Sequence, residues 1–171
     1  MEFEIIHGDI AEQEADALVN AAGTSLRMGS GVAGALRRAA NGPINEEAMS
    51  NGPIDLGGVA VTDAYDLDAE YVIHAAAMPH YGDGRATADS VRRATRNALA
   101  AADERECESL VVPVLGTGAA GLDFETGAQC VCEEIHGYEP RTLVDVRVIA
   151  YTESEYRAVQ AIAERVRSTG E

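Results

Sequence analysis

The sequence has no lysine, so all 13 basic residues among its 171 are arginine. They are outnumbered by 29 aspartates and glutamates, which give a formal net charge of −16. Binding nucleic acid by phosphate neutralisation, or docking on an anionic membrane, needs a basic surface. We therefore expect neither nucleic acid nor a membrane as a partner. A P-loop nucleotidase is also excluded, because its phosphate-binding motif contains a lysine.

The acid-rich, lysine-free composition suggests a halophilic protein from a cytoplasm with very high salt. There, repulsion within the acidic surface is screened over about 3 Å at 1 M salt. The sequence also lacks an apolar run long enough for a membrane-spanning helix. Residues 1–6 (Met-Glu-Phe-Glu-Ile-Ile) have a strand pattern and not that of a signal peptide. These features predict a cytoplasmic location.

Only three cysteines are present, an odd number that does not form a disulfide framework. Cys130 and Cys132 are separated by one residue on a predicted helix, so they point to different faces. We expect buried, inert thiols instead of metal or redox ligands. No metal or cofactor is expected.

Apolar runs and amphipathic segments alternate along what we interpret as one domain, 1–171. The predicted strands are 3–7, 17–21, 59–62, 71–76, 110–115 and 143–151. The predicted helices are 32–40, 44–50 and 87–105, followed by one capped by Asp123 and one starting at a capping box over 152–155. Such alternation is typical of an α/β fold with parallel strands and helices on both faces of one sheet.

Two glycine-rich loops follow predicted strands: Gly-Ser-Gly-Val-Ala-Gly at 29–34 and Gly-Thr-Gly-Ala-Ala-Gly at 116–121. Glycines let the backbone approach a ligand closely, and a helix start behind them presents unpaired N–H groups that suit an anion. Either loop alone is also compatible with a tight turn that binds nothing. Ligands of open α/β sheets bind beyond the carboxyl ends of the strands. Together the loops predict two halves of a phosphate cradle.

A nicotinamide dehydrogenase fits these loops poorly. In that fold the glycine motif abuts its strand, and an acidic residue about 20 positions later ends the next strand. Residues 23–28 separate the first loop from its strand, and Asp55 lies in another glycine-rich loop. The strand after the second loop ends at Tyr151, without a ribose-binding acid at the required distance.

The ordered set of motifs resembles the macro domain family over essentially the whole chain. The resemblance rests on Gly-Asp-Ile at 8–10, Asp-Ala-Leu-Val-Asn-Ala-Ala at 16–22, the first glycine loop, Tyr-Val-Ile-His at 71–74, and residues 113–121. It implies a three-layer α/β/α fold with a mixed central sheet of about six strands. It also implies a cleft for ADP-ribose, free or on an ADP-ribosylated protein or metabolite.

The resemblance assigns roles along that cleft. Asp9 would accept a hydrogen bond from the adenine amino group, the Ile10 N–H would meet the ring, and Tyr151 would pack on it. Asn20, with Ala21 beside it, would lie at the ribose farther from adenine. The diphosphate would be clamped by two sets of residues: Gly29, Ser30, Gly31 and Val32, and Gly116, Thr117, Gly118, Ala119, Ala120 and Gly121. With Arg27 the only cation expected nearby, binding would rest on backbone N–H groups.

The sequence indicates the binding residues more clearly than it indicates a catalytic mechanism. One hydrolase branch of the family has asparagine and aspartate where this chain has Gly23 and Ala33, so a carboxylate-assisted mechanism is in doubt. We expect hydrolysis of an ADP-ribosyl or O-acyl-ADP-ribose bond by a positioned water, with Asn20 orienting the ribose. The alternative is a reader that only recognises ADP-ribose. His74 fits a core histidine, whereas the loop with His80 and Tyr81 is either a surface connection or a cover over the site.

Overall fold

The structure is a computed structural model that describes residues 1–80 and 83–169. Its strands are β1 (Glu4–His7), β2 (Ala17–Gly23), β3 (Val59–Asp63), β4 (Tyr71–Met78), β5 (Ser109–Pro113) and β6 (Asp145–Ala150). Its helices are α1 (Gly31–Ala40), α2 (Ile44–Ser50), α3 (Ala88–Glu104), α4 (Phe124–His136) and α5 (Glu153–Thr169). Two short 3₁₀ turns span Ile10–Glu12 and Gly118–Ala120.

The six strands form one mixed sheet in the order β1-β6-β5-β2-β4-β3. All neighbours pair in parallel except β3, which runs antiparallel to β4 at one edge. Five strands therefore point their carboxyl ends to the same edge of the sheet. This is the mixed six-stranded sheet that the resemblance implies, and the α/β prediction is confirmed.

Helices cover both faces of this sheet. The larger core packs α3, α4 and α5 against one face, with side chains such as Leu99, Val131 and Ile162. On the other face, α1 and α2 cover a smaller core that includes Leu18, Leu36 and Ile44. The buried face of α3 is rich in alanine (Ala94, Ala98, Ala101 and Ala102), which lets that helix lie close to the strands. The architecture has three layers, α/β/α.

All six predicted strands and all five predicted helices are present, with shifted ends. β2 continues to Gly23, two residues beyond its predicted end, and β4 continues to Met78. The three cysteines are free and buried, as predicted. Burial raises the pKa of the Cys132 thiol to about 12. Within the described ranges, every helix is too short or too polar to cross a membrane.

Candidate functional site

A cleft of about 850 Å³ opens over the carboxyl ends of the parallel strands. This volume is in the range of about 300–1,000 Å³ that is usual for small-molecule sites. Its wall takes residues from the ends of five neighbouring strands: Asp9 after β1, Tyr151 after β6, Gly116 after β5, Ala22 on β2 and Met78 on β4. Because the sheet order is β1-β6-β5-β2-β4, the cleft is elongated, with a β1/β6 end and a β2/β4 end.

The start of α1 forms one side of the middle of the cleft. Ser30 is its N-cap residue, yet its hydroxyl makes no capping hydrogen bond. The N–H groups of the first helical turn have no acceptor within their own helix. Gly31, Val32 and Ala33 all line the cleft, so these open N–H groups belong to its wall.

The second glycine loop faces the cleft with a similar arrangement. Thr117 is the N-cap of the 3₁₀ turn Gly118–Ala120 and also makes no side-chain cap; its hydroxyl donates to the Val114 carbonyl at 3.3 Å. Gly118 has φ of +69°, and a Cβ at this position would meet nothing within 4 Å. Glycine is suited to this backbone conformation, and the lack of a side chain leaves the turn open to a ligand.

Two helices that start away from the cleft, α3 and α4, have side-chain caps, whereas α2, which begins after Pro43, has none. The Thr87 and Asp123 side chains accept from the N–H groups of Ser90 and Thr126, at the starts of α3 and α4. At α5, whose Glu155 lines the cleft, the Thr152 hydroxyl accepts from the Glu155 N–H at 3.2 Å and donates to the Glu155 carboxylate at 2.9 Å. Among the described residues, the second bond of a capping box, from the Thr152 backbone N–H to that carboxylate, is absent, so the predicted box is half formed. Ser30 and Thr117 are equally able to cap but do not. The two uncapped starts that meet in the cleft are therefore available to an anion.

Asp9 and Tyr151 lie at the β1/β6 end. One carboxylate oxygen of Asp9 accepts from the Ala11 N–H at 2.9 Å and caps the first 3₁₀ turn. Its other oxygen makes no hydrogen bond with the described residues. The Tyr151 side chain is 75% exposed, and its carbonyl accepts from His7 Nε2 at 3.2 Å. This end offers one free carboxylate oxygen and one aromatic side chain.

Asn20 does not line the cleft, contrary to the expected ribose contact. Because β2 runs on to Gly23, Asn20 lies within the strand, three residues before its end. Its side chain is only 1% exposed and donates to His74 Nδ1 at 3.0 Å. Its Oδ1 has no partner in the part of the chain that the structure describes. The ribose contact and the catalytic role expected of Asn20 stay predictions.

His74 is a core histidine, as the sequence indicated. The Thr62 hydroxyl lies 2.9 Å from His74 Nε2 and uses its proton on the Asp63 carbonyl. Because the Asn20 NH₂ group donates to Nδ1, the proton of the neutral imidazole lies on Nε2, and Thr62 accepts from it. Burial lowers the pKa of His74 to about 4, so the imidazole is neutral near pH 7.

His80 lies at the β2/β4 end of the cleft, just after β4, with Ser25 and Met78 also in the wall there. Its predicted neighbour in this loop, Tyr81, is outside the described residues. Among the described residues that line this end, His80 is the only imidazole or carboxylate.

Thirteen of the 15 predicted ligand-binding residues line the cleft. They are Asp9, Ile10, Ala21, Gly29, Ser30, Gly31, Val32, Gly116, Thr117, Gly118, Ala119, Ala120 and Tyr151. The other two, Asn20 and Gly121, do not line it. Gly121 follows the 3₁₀ turn as its C-cap, and a Cβ at this position would lie 3.0 Å from Arg85 Cδ.

Sequence reasoning missed two charged residues of the cleft, Arg38 and Glu155, and named only Arg27 among the cations. The missed signal for Arg38 was its helical spacing, because it follows Gly31 and Ala35 on one face of α1. No group of three or more potential metal ligands occurs in 1–80 and 83–169.

Comparison with known proteins identifies the family. The family model described as "Macro domain" matches residues 19–131. An uncharacterized protein of Saccharolobus solfataricus is 40% identical over 167 residues, which cover 95% of this chain and 92% of that protein. An uncharacterized protein of Sulfolobus acidocaldarius is 37% identical, covering 95% and 90% respectively.

Solved structures share the fold. The Oceanobacillus iheyensis macrodomain with ADP superimposes with a TM-score of 0.87 at 23% identity, covering 96% of this chain and 91% of that one. The Trypanosoma brucei macrodomain in complex with ADP-ribose gives a TM-score of 0.81 at 24% identity, covering 92% and 67%. The chain belongs to the macro domain family.

Proposed function

We propose that the cleft binds ADP-ribose, as the free nucleotide or on an ADP-ribosylated protein or metabolite. The observation that carries the proposal is the meeting of two uncapped helical starts, at Ser30 and at Thr117, in one elongated cleft. A diphosphate needs several donors at close range, and these turns supply backbone N–H groups without any lysine. The proposal is supported by relatives of the same fold in complex with ADP and ADP-ribose.

The order of groups along the cleft matches the order of groups in this ligand. The free carboxylate oxygen of Asp9 suits the amino group of adenine, and Tyr151 offers a ring to pack on the base. The diphosphate would lie over β5, between the two glycine loops. The second ribose would then reach the β2/β4 end, beside Ala21 and His80.

The net charge of −16 is compatible with an anionic ligand. Backbone N–H groups act at hydrogen-bond distance, whereas repulsion from the acidic surface acts over a longer range and is screened by salt. We propose that the protein works in a high-salt cytoplasm, where this repulsion is weak. Affinity for ADP-ribose would then increase between low and high KCl.

Hydrolysis of an ADP-ribosyl or O-acyl-ADP-ribose bond is the second candidate. The observation that favours it is His80, placed where the second ribose would lie and able to assist proton transfer there. Asn20, the residue first expected to orient the ribose, is sealed in the core. A reader module without turnover is the remaining possibility.

Two assays in high KCl separate these functions. Calorimetric titration with ADP-ribose, ADP and AMP should give saturable binding of ADP-ribose; no binding would refute the main proposal. The protein would then be incubated with a mono-ADP-ribosylated protein and with O-acetyl-ADP-ribose, against a heat-treated sample. Release of ADP-ribose by the wild type that is lost in His80→Gln supports hydrolysis. Binding of ADP-ribose without any release supports a reader module.

A further inference from the structure

Arg38 is a cation of the cleft to which neither the motifs nor the proposed diphosphate contacts assign a role. It lies on the second half of α1, on the same face as Gly31 and Ala35, and all three line the cleft. Residues three and four positions apart are neighbours on a helix surface, so this face continues from the first turn of α1 to the guanidinium.

The side chain of Arg38 turns back toward the start of α1. A Cβ on residue 34 would lie 3.3 Å from Arg38 Nη1 and 2.8 Å from the Gly29 carbonyl oxygen. The guanidinium therefore lies against the glycine loop itself, in the space that Gly34 leaves by having no side chain. Long helical side chains commonly point toward the N-terminus, which favours this path.

Arg38 makes no hydrogen bond or ion pair with any residue in 1–80 or 83–169. Its neighbour Arg37 donates to the Met28 carbonyl at 3.1 Å and does not line the cleft. Elsewhere arginines such as Arg92 and Arg157 pair with glutamates. In a chain with 29 acidic residues, a guanidinium in the cleft without a carboxylate partner is available to an anionic ligand.

On the basis of the proposed function, we propose that Arg38 is a specificity-determining residue that contacts the diphosphate of the bound ligand. The planar guanidinium donates two parallel hydrogen bonds to phosphate oxygens, which backbone N–H groups at the two glycine loops do not duplicate. The residue would make the cleft select ligands with a diphosphate over the uncharged nucleoside.

The test compares Arg38→Gln with Arg165→Gln in calorimetric titrations with ADP-ribose, ADP and adenosine at moderate KCl. Arg165 is exposed near the end of α5 and does not line the cleft, so it controls for net charge. Arg38→Gln should weaken ADP-ribose and ADP binding about tenfold, as expected for loss of a charge-assisted contact. Adenosine should bind this variant as it binds the wild type, and Arg165→Gln should change nothing.

The outcomes distinguish the two proposals. If the wild type does not bind ADP-ribose, the proposed function fails, and the role of Arg38 fails with it. If the wild type binds and Arg38→Gln binds equally well, only the role of Arg38 is overturned. An equal loss for adenosine and ADP-ribose would also overturn it, since Arg38 would then act on the nucleoside or on the fold. Thermal unfolding of each variant measures any effect of the substitution on the stability of the fold separately.

Discussion

Asp9→Asn should lower affinity for ADP-ribose while leaving the fold intact. One oxygen of Asp9 accepts from the Ala11 N–H at 2.9 Å, the other makes no hydrogen bond with the described residues, and Asp9 lines the cleft. In the variant, only the amide oxygen is able to accept from Ala11, so the NH₂ group must point to the base. It would then meet the amino group of adenine, donor against donor.

The magnitude follows from the kind of bond that is lost. A hydrogen bond to a charged acceptor contributes about 1.5–3 kcal/mol, so its loss weakens binding by roughly 10-fold to 150-fold. Stability should stay within about 0.5 kcal/mol of the wild type, because asparagine and aspartate are about equal as N-caps. Asp9→Ala also removes the cap, and should cost about 0.5–1 kcal/mol of folding free energy.

The donor mismatch also predicts a change of base preference. Hypoxanthine carries an oxygen where adenine carries the amino group, so it accepts from the new NH₂ and is repelled by the wild-type carboxylate. The assay is calorimetric titration of both proteins with ADP-ribose and with its inosine counterpart. Asp123→Asn is the matched control, because Asp123 caps α4 in the same way outside the cleft. Wild-type affinity for ADP-ribose in Asp9→Asn would refute the adenine assignment.

Three further perturbations test other parts of the structure. Gly29→Val should abolish binding of ADP-ribose without loss of Tm, because a Cβ there meets nothing within 4 Å and the residue lines the cleft; normal affinity would argue against the two-loop cradle. Urea unfolding should show stability falling by about 3 kcal/mol from pH 6.5 toward pH 4, because the pKa of His74 is lowered to about 4 in the fold and the unfolded chain takes up the proton first. His74→Gln should flatten this slope, and an identical slope in that variant would contradict the assignment. The unfolding free energy should also rise with KCl, because salt screens a net charge of −16; full stability in low salt would count against the halophilic interpretation.

The fold was predictable because its signals are local and repeated. Apolar runs mark the buried parallel strands, alanine stripes mark the helices, and Asp123 and Thr152 mark two helix starts. The glycine loops were recognisable for the same reason, since both follow strands whose carboxyl ends meet at one edge of the sheet.

The positions of two side chains, Asn20 and Arg38, did not follow from the sequence. The polarity of Asn20 suggested a strand end, but the partners that bury it, His74 and through it Thr62, come from β4 and β3. Arg38 is 11 residues from Arg27 in sequence, and its guanidinium lies beside Gly34, where a Cβ would come within 3.3 Å of Nη1. The burial of the Asn20 amide therefore depends on partners from other strands. The spacing of Gly31, Ala35 and Arg38 places Arg38 on a cleft-lining face of α1 but does not give the path of its side chain.

The central claim is that open backbone N–H groups at two uncapped helical starts hold the diphosphate. Amide chemical shifts of the labelled protein, followed during titration with ADP-ribose in high KCl, test it most directly. The account predicts saturable shifts that are largest at Gly31, Val32, Gly118 and Ala119, with the Ala11 amide as a smaller reporter of the base. Unchanged amide shifts in both glycine loops at millimolar ADP-ribose would contradict it.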